Sequence, residues 1–253
     1  MIILGFVLFF GLKIFENFEM IFSPLKVLLI FILIILAIPF VIPANLMVFN
    51  STMLQIPYGV LLFALTGFSV IPHMASGLKD KKLLKNSIII GIVLSAIIYL
   101  LFAFAVVGVL GAKTTELSTI ALGELLGKHM VILGNLFAVL ALGTAFVAIG
   151  YSLKENFVLD YKVNNILAWL GVLVVPILFV LVGKFSFVKI IDISGVIGTG
   201  ISLLAILVIH TRAIKQGDRE PEYKIKNSLF FKGIIILLII TAIVYEFFRI
   251  AGF

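Results

Sequence analysis

Cysteine is absent from the 253 residues of this chain, and charged side chains make up only 12% of them. The lack of cysteine excludes disulfides, thiolate metal sites and thiol nucleophiles, and it leaves the redox compartment undetermined. The scarcity of charge accompanies a hydrophobic fraction of 63%, whereas soluble domains carry about 45–50%. The composition therefore indicates an integral membrane protein that lies in a lipid bilayer.

The net charge of +7 raises the question of nucleic-acid binding. The basic residues lie in short clusters between apolar runs and not along one face, a distribution typical of membrane-topology signals. We therefore expect no nucleic-acid partner.

Apolar runs of about 17–25 residues predict transmembrane helices. We predict one all-α membrane domain over 1–253, a polytopic helical bundle of about eight spans. The spans lie near residues 2–12, 27–43, 57–77, 87–111, 130–152, 165–183, 190–210 and 229–248. The first of these runs is shorter than a bilayer requires.

Loop charge predicts the orientation of the spans. Most of the 19 lysine and arginine residues fall in loops on one side, which the positive-inside rule places in the cytoplasm. Both ends of the chain then lie outside. An external N-terminus ahead of a short first span predicts that the natural protein begins further upstream.

The span 57–77 carries residues that interrupt a helix. Pro72 has no N–H for the carbonyl of Phe68, and Gly67 lowers the cost of leaving helical geometry. Irregular backbone at membrane depth persists only where it lines protein or a wet cavity. We therefore predict a discontinuous helix at a binding site, with a proline kink between packed helices as the alternative.

The motifs of an intramembrane hydrolase are missing. The sequence contains no HExxH, no GxSG and no aspartates deep in facing spans. Ser69 and His73 lie one turn apart without a third orienting group. An enzyme is therefore a remote alternative.

Three segments resemble the amino acid/auxin permeases of the amino acid, polyamine and organocation transporter superfamily. They are PYGVLLFALTGFSVIP at 57–72, LGTAFVAIGYSLKENF at 142–157 and GDREPEY at 217–223. The resemblance implies part of a leucine-transporter-type inverted-repeat fold with one discontinuous helix. It also implies that the chain is a C-terminal portion lacking the family's first three spans.

The resemblance implies a set of substrate-binding residues around the helix break. These are Phe63, Ala64, Thr66, Gly67, Phe68 and Ser69. Backbone groups would hold the polar ends of an amino acid there.

A coupling-cation site is implied at Ala141, Thr144 and Ala145, where sodium-coupled relatives offer a carbonyl and two hydroxyls to Na⁺. Only the Thr144 hydroxyl is present here, and a hard cation prefers more oxygen ligands. This favours H⁺ over Na⁺. The alternative is a small-residue packing face.

Three other residues have a functional and a structural interpretation. His73 can couple transport to protons or make an interface hydrogen bond, and Asp192 can form an outer gate or pair with Lys189 one turn away. Lys26 is interpreted as a topology charge, although a lysine deeper in that span replaces sodium in some proton-coupled relatives. The glycines of GVIGTG at 195–200 lie inside an apolar span, which predicts close helix packing and not a dinucleotide loop.

The leading hypothesis is a secondary active amino acid transporter of the plasma membrane, without a cofactor, working by alternating access with H⁺ or Na⁺ as the coupling ion. The alternative is a non-transporting or half-transporter subunit that pairs with a separately encoded N-terminal portion.

Overall fold

The computed structural model describes residues 2–10, 12–47, 57–183, 186–217, 221, 223 and 228–251. Within those residues all the regular structure is helical. The α-helices are α1 (Ile2–Phe10), α2 (Leu12–Ala37), α3 (Tyr58–Ala64), α4 (Ile71–Gly77), α5 (Leu84–Leu110), α6 (Ser118–Leu126), α7 (Lys128–Leu159), α8 (Asn165–Val182), α9 (Phe187–Ile193), α10 (Gly200–Gln216) and α11 (Leu229–Ala251). A π-helical segment, Ser194–Thr199, joins α9 to α10.

Six stretches of the described chain are long and apolar enough to cross a membrane. They are Glu19–Phe40, Tyr58–Gly77, Lys81–Lys113, Lys128–Leu159, Phe187–Ile214 and Leu229–Phe248. A shorter apolar stretch, Asn165–Phe179, lies in α8. The predicted all-α polytopic bundle is confirmed, and the protein is an integral, multi-pass membrane protein.

The first two helices differ in extent from the predicted spans. α1 has 9 residues, about 14 Å at 1.5 Å per residue, whereas a bilayer core is about 30 Å thick. α2 begins at Leu12 and has 26 residues, so Lys26 lies well inside it. Within α2, Glu19 accepts a hydrogen bond from Ser23 and pairs with Lys26 at 3.6 Å, so these polar groups find partners on the helix itself.

Many large apolar side chains on the helix surfaces are not covered by other parts of the protein. On α11, Leu229, Phe230 and Phe247 are each more than two-thirds exposed. Such surfaces are unfavourable in water but not against lipid tails. The exposed apolar faces are therefore consistent with helices that contact the bilayer.

The chain divides into two compact units. Unit 1 comprises Met1–Val48 and Leu100–Lys184, and unit 2 comprises Phe49–Tyr99 and Phe185–Phe253. The boundary between residues 99 and 100 falls inside α5.

Unit 1 is built around α7, which contacts α1, α2, α6 and α8. Its core includes Leu8, Val147, Tyr151 and Val172. Gly150 allows this packing, since an added Cβ would lie 3.1 Å from the methyl carbons of Leu8.

The short helix α1 is also held by hydrogen bonds from its neighbours. The buried ammonium of Lys154 donates to the carbonyl of Leu8 at 2.8 Å, and the indole of Trp169 donates to the carbonyl of Gly5 at 2.8 Å. The last carbonyls of a helix have no partners within the helix. Lys154 thus satisfies the C-terminal end of α1.

Unit 2 contains the interrupted helix α3–α4, which contacts α9 and the π-helical segment through α3. Gly59 of α3 lies directly against Gly195 of the π-helical segment. A Cβ on Gly195 would collide with the carbonyl oxygen of Gly59, and a Cβ on Gly59 would collide with the carboxylate of Asp192. Two glycines therefore allow the two backbones to touch.

Candidate functional site

The spanning helix of residues 58–77 is interrupted between Ala64 and Ile71. α3 ends at Ala64, a single 3₁₀ turn occupies Phe68–Val70, and α4 begins at Ile71. Gly67 lies in the interruption and precedes the 3₁₀ turn. Pro72 stands in the first turn of α4, where its missing N–H costs nothing.

The 3₁₀ turn satisfies the carbonyl that Pro72 leaves without its usual donor. The N–H of Ile71 bonds to the carbonyl of Phe68, and the N–H of Val70 bonds to the carbonyl of Gly67 at 3.2 Å. The chain therefore leaves α-helical geometry before Pro72 without losing these hydrogen bonds.

Side chains satisfy two carbonyls at the end of α3. The hydroxyl of Thr66 donates to the carbonyl of Leu62, and the phenol of Tyr99 donates to the carbonyl of Ala64 at 3.2 Å. Among the described residues no acceptor is found for the N–H groups of residues 67–69. Three consecutive amides thus have no acceptor within the described part of the chain, and they lie next to a carbonyl end whose partial charge is negative.

A cavity of about 670 Å³ lies in unit 2 beside this interruption. Its lining is mostly aliphatic, and its volume falls within the range of small-molecule sites. Its hydroxyl-bearing residues are Tyr58, Thr66, Ser87, Ser95 and Thr199.

Four of the six predicted substrate residues line the cavity. They are Ala64, Thr66, Gly67 and Phe68. Phe63 and Ser69 are not part of this lining among the described residues, and Phe63 instead contributes to the surroundings of Gly195. The structure thus brings four residues of the predicted set to one cavity, and the other two are not part of its described lining.

Thr199, the last residue of the π-helical segment, also lines the cavity. It is 8% exposed, and its Oγ1 lies 3.4 Å from Oγ1 of Thr66. A π-helical turn changes which side chains face a neighbour, and such turns occur often at functional sites. In the sequence, Thr199 could have been recognised as the polar residue inside the apolar segment GVIGTG. The interpretation of this segment as a packing motif considered only its glycines.

Unit 1 contains the residues of the predicted coupling-cation site. The Thr144 hydroxyl donates to the carbonyl of Ala141 at 3.2 Å and accepts a hydrogen bond from Nζ of Lys26 at 2.5 Å. Thr144 is 1% exposed. A lysine ammonium therefore contacts the one side-chain oxygen of the predicted cation site.

The remaining predicted residues have different positions. Asp192 is buried against Gly59 in unit 2. The backbone of His73 belongs to α4, and its side chain lies outside the described residues. Glu246 of α11, which the sequence analysis did not single out, is 2% exposed. Ionisable groups buried in spanning helices are uncommon and often functional.

A discontinuous spanning helix beside a ligand-sized cavity is a feature of secondary transporters, where broken helices form the substrate site. The tryptophan/tyrosine permease family model matches residues 1–246. The chain belongs to this family, and it is an amino acid transporter and not an enzyme. No curated protein and no solved structure matches the chain significantly.

Proposed function

We propose that the protein is a secondary active symporter of tryptophan and tyrosine in the cell membrane, driven by protons and working by alternating access. The description of its family supplies the two aromatic substrates. The observation that carries the proposal is the interruption of the helix at Gly67, with open backbone groups beside the cavity. The fold is proposed to be the inverted-repeat type of the amino acid/auxin permeases.

The backbone at the interruption suits the α-carboxylate and α-ammonium of an amino acid. Amide N–H groups attract a carboxylate, and the carbonyl end of a half-helix attracts a cation. We assign the carboxylate to the amides at Gly67 and Phe68, and the ammonium to the carbonyl of Leu65 at the end of α3. The aliphatic lining then surrounds the aromatic ring.

Lys26 is proposed to carry the coupling proton. Its ammonium donates to the buried Thr144 hydroxyl and lies 3.6 Å from Glu19, so a positive charge is already present where Na⁺ would bind. Loss of the proton removes the charge of the Lys26 ammonium and one of its N–H donors. A Na⁺ ion bound at Thr144 would need to displace the ammonium.

Uptake by the purified protein, produced with its natural N-terminus and reconstituted in proteoliposomes, tests the substrate assignment. We expect accumulation of labelled tryptophan and tyrosine, and no uptake by Gly67→Leu. A Cβ at Gly67 meets no atom within 4 Å, and its φ of −117° suits any residue. The variant should therefore fold, and the leucine side chain should fill the substrate position.

Gly233→Leu is the matched control. Gly233 lies on α11, is not part of the described cavity lining, and also meets no atom within 4 Å. Normal uptake by Gly233→Leu with none by Gly67→Leu supports the site. Undiminished uptake by Gly67→Leu contradicts the assignment of the cavity, and absence of aromatic uptake by the unmodified chain contradicts the proposed function.

A further inference from the structure

The two threonine hydroxyls at the cavity have a defined hydrogen-bond direction. Each hydroxyl carries one proton. The proton of Thr66 is used on the carbonyl of Leu62, so in the contact between Thr66 and Thr199 at 3.4 Å Thr199 must be the donor. The lone pairs that remain on both oxygens are acceptors.

This pair of acceptors lies in an otherwise mostly aliphatic lining. Thr66 stands at the helix interruption, and Thr199 stands at the end of the π-helical segment. A donor about 2.9 Å from each oxygen has normal hydrogen-bond geometry, and oxygens 3.4 Å apart allow one donor to contact both.

We propose that the Thr66–Thr199 pair binds the polar edge of the substrate ring and makes the site selective for aromatic amino acids that carry a hydrogen-bond donor. This inference rests on the proposed function. Tyrosine offers a phenol O–H and tryptophan an indole N–H, whereas phenylalanine offers neither. One pair of acceptors can thus bind two rings of different shape, because both rings carry a hydrogen-bond donor.

The pair discriminates against phenylalanine because binding of a ring without a donor leaves the threonine oxygens without a hydrogen bond, which is unfavourable. A site built to hydrogen-bond a substrate group leaves its own buried polar atoms unpaired when an analogue lacks that group. We expect tyrosine and tryptophan to bind at least roughly tenfold more tightly than phenylalanine, the effect of one such hydrogen bond.

The test is competition against labelled tyrosine, measured with the full chain in proteoliposomes with unlabelled tyrosine, tryptophan and phenylalanine. Thr199→Val keeps the shape of the side chain and removes the hydroxyl. Its tyrosine and tryptophan affinities should fall roughly tenfold while the phenylalanine affinity is retained. Thr199→Ser restores the hydroxyl and should restore the selectivity.

One variant serves as a control, and a second tests another hydroxyl of the cavity. Ser202→Ala removes a hydroxyl that bonds to the carbonyl of Gly198 at 2.8 Å and is not part of the described cavity lining; it should leave the selectivity unchanged. Ser95→Ala tests the competing acceptor, because it removes a hydroxyl-bearing side chain that itself lines the cavity on the α5 side; we expect the selectivity to depend on the threonine pair and not on Ser95.

The outcomes separate this inference from the proposed function. If the unmodified chain binds tyrosine and tryptophan but binds phenylalanine equally well, the inference is wrong and the proposed function stands. The same holds if Thr199→Val keeps the selectivity, or if Ser95→Ala loses it instead. If the unmodified chain binds neither tyrosine nor tryptophan, both are wrong.

Discussion

Gly195 and Gly198 lie in the same π-helical segment but have different surroundings. A Cβ on Gly195 would collide with the backbone carbonyl of Gly59, whereas a Cβ on Gly198 would meet no atom within 4 Å. The sequence interpretation of GVIGTG as a close-packing motif therefore applies to one of these glycines and not to the other. A repeat of small residues does not itself say which one faces the neighbouring helix.

Gly195→Ala should destabilise the protein, since the added methyl meets backbone that cannot move as a side chain can. Overpacking of this kind costs about 1–3 kcal/mol. Gly198→Ala adds the same atoms in open space and should be neutral or slightly stabilising, because alanine favours helix over glycine by about 1 kcal/mol. The measurement is the temperature at which half of the detergent-solubilised protein leaves the monodisperse gel-filtration peak. Equal midpoints for the two variants would contradict the contact.

The position and the hydrogen-bond partner of Lys26 were not predictable from the sequence. Charged residues flank it on the N-terminal side, so the apolar run predicts a span that begins at residue 27. In the structure α2 starts at Leu12, and Lys26 and Glu19 satisfy one another on it. Its bond to Thr144 joins residues 118 positions apart, and no local pattern encodes such a distant partner.

At the scale of elements, the interruption between α3 and α4 was predictable because its causes are local. Gly67 and Pro72 act on their own backbone. The residues that complete the site were not predictable in the same way, because Tyr99 reaches Ala64 from α5 and Thr199 reaches Thr66 from beyond α9. The sequence thus located the break, and the tertiary packing determined which side chains line it.

Helix α1 depends on side chains of other helices. Its 9 residues are too few for a stable isolated helix. Lys154→Met should release the Leu8 carbonyl from its 2.8 Å hydrogen bond and destabilise this part of unit 1 by about 1–3 kcal/mol, the cost of leaving a buried polar group unsatisfied.

Fluorescence of Trp169 measures this effect directly. It is the single tryptophan of the chain, its indole bonds to Gly5, and its ring packs edge-on against Phe9 at 5.4 Å. We expect the thermal transition of its emission to occur at lower temperature in Lys154→Met. Lys113→Met changes an exposed lysine and should leave the transition unchanged. An unaltered transition in Lys154→Met would show that α1 is held without this bond.

At the scale of the whole molecule, the coupling ion decides how transport is driven. An inward proton gradient should drive accumulation of labelled tyrosine in proteoliposomes, and replacement of Na⁺ by choline should have no effect, because the Lys26 ammonium already contacts Thr144. Lys26→Met keeps an unbranched side chain, one atom shorter, and removes the proposed proton carrier. It should abolish accumulation against a gradient while exchange of internal for external tyrosine continues.

The chain offers a matched control for this experiment. Lys232 donates to the hydroxyl of Thr211 at 2.6 Å. This is also a hydrogen bond from a lysine to a threonine, but it lies in unit 2 and not in the predicted cation site. Lys232→Met should retain proton-driven accumulation. Uptake that requires Na⁺, or accumulation by Lys26→Met equal to that of the unmodified chain, would contradict the role of Lys26. Loss of both accumulation and exchange in Lys26→Met would instead assign the Lys26–Thr144 bond to the stability of unit 1, since coupling alone does not limit exchange.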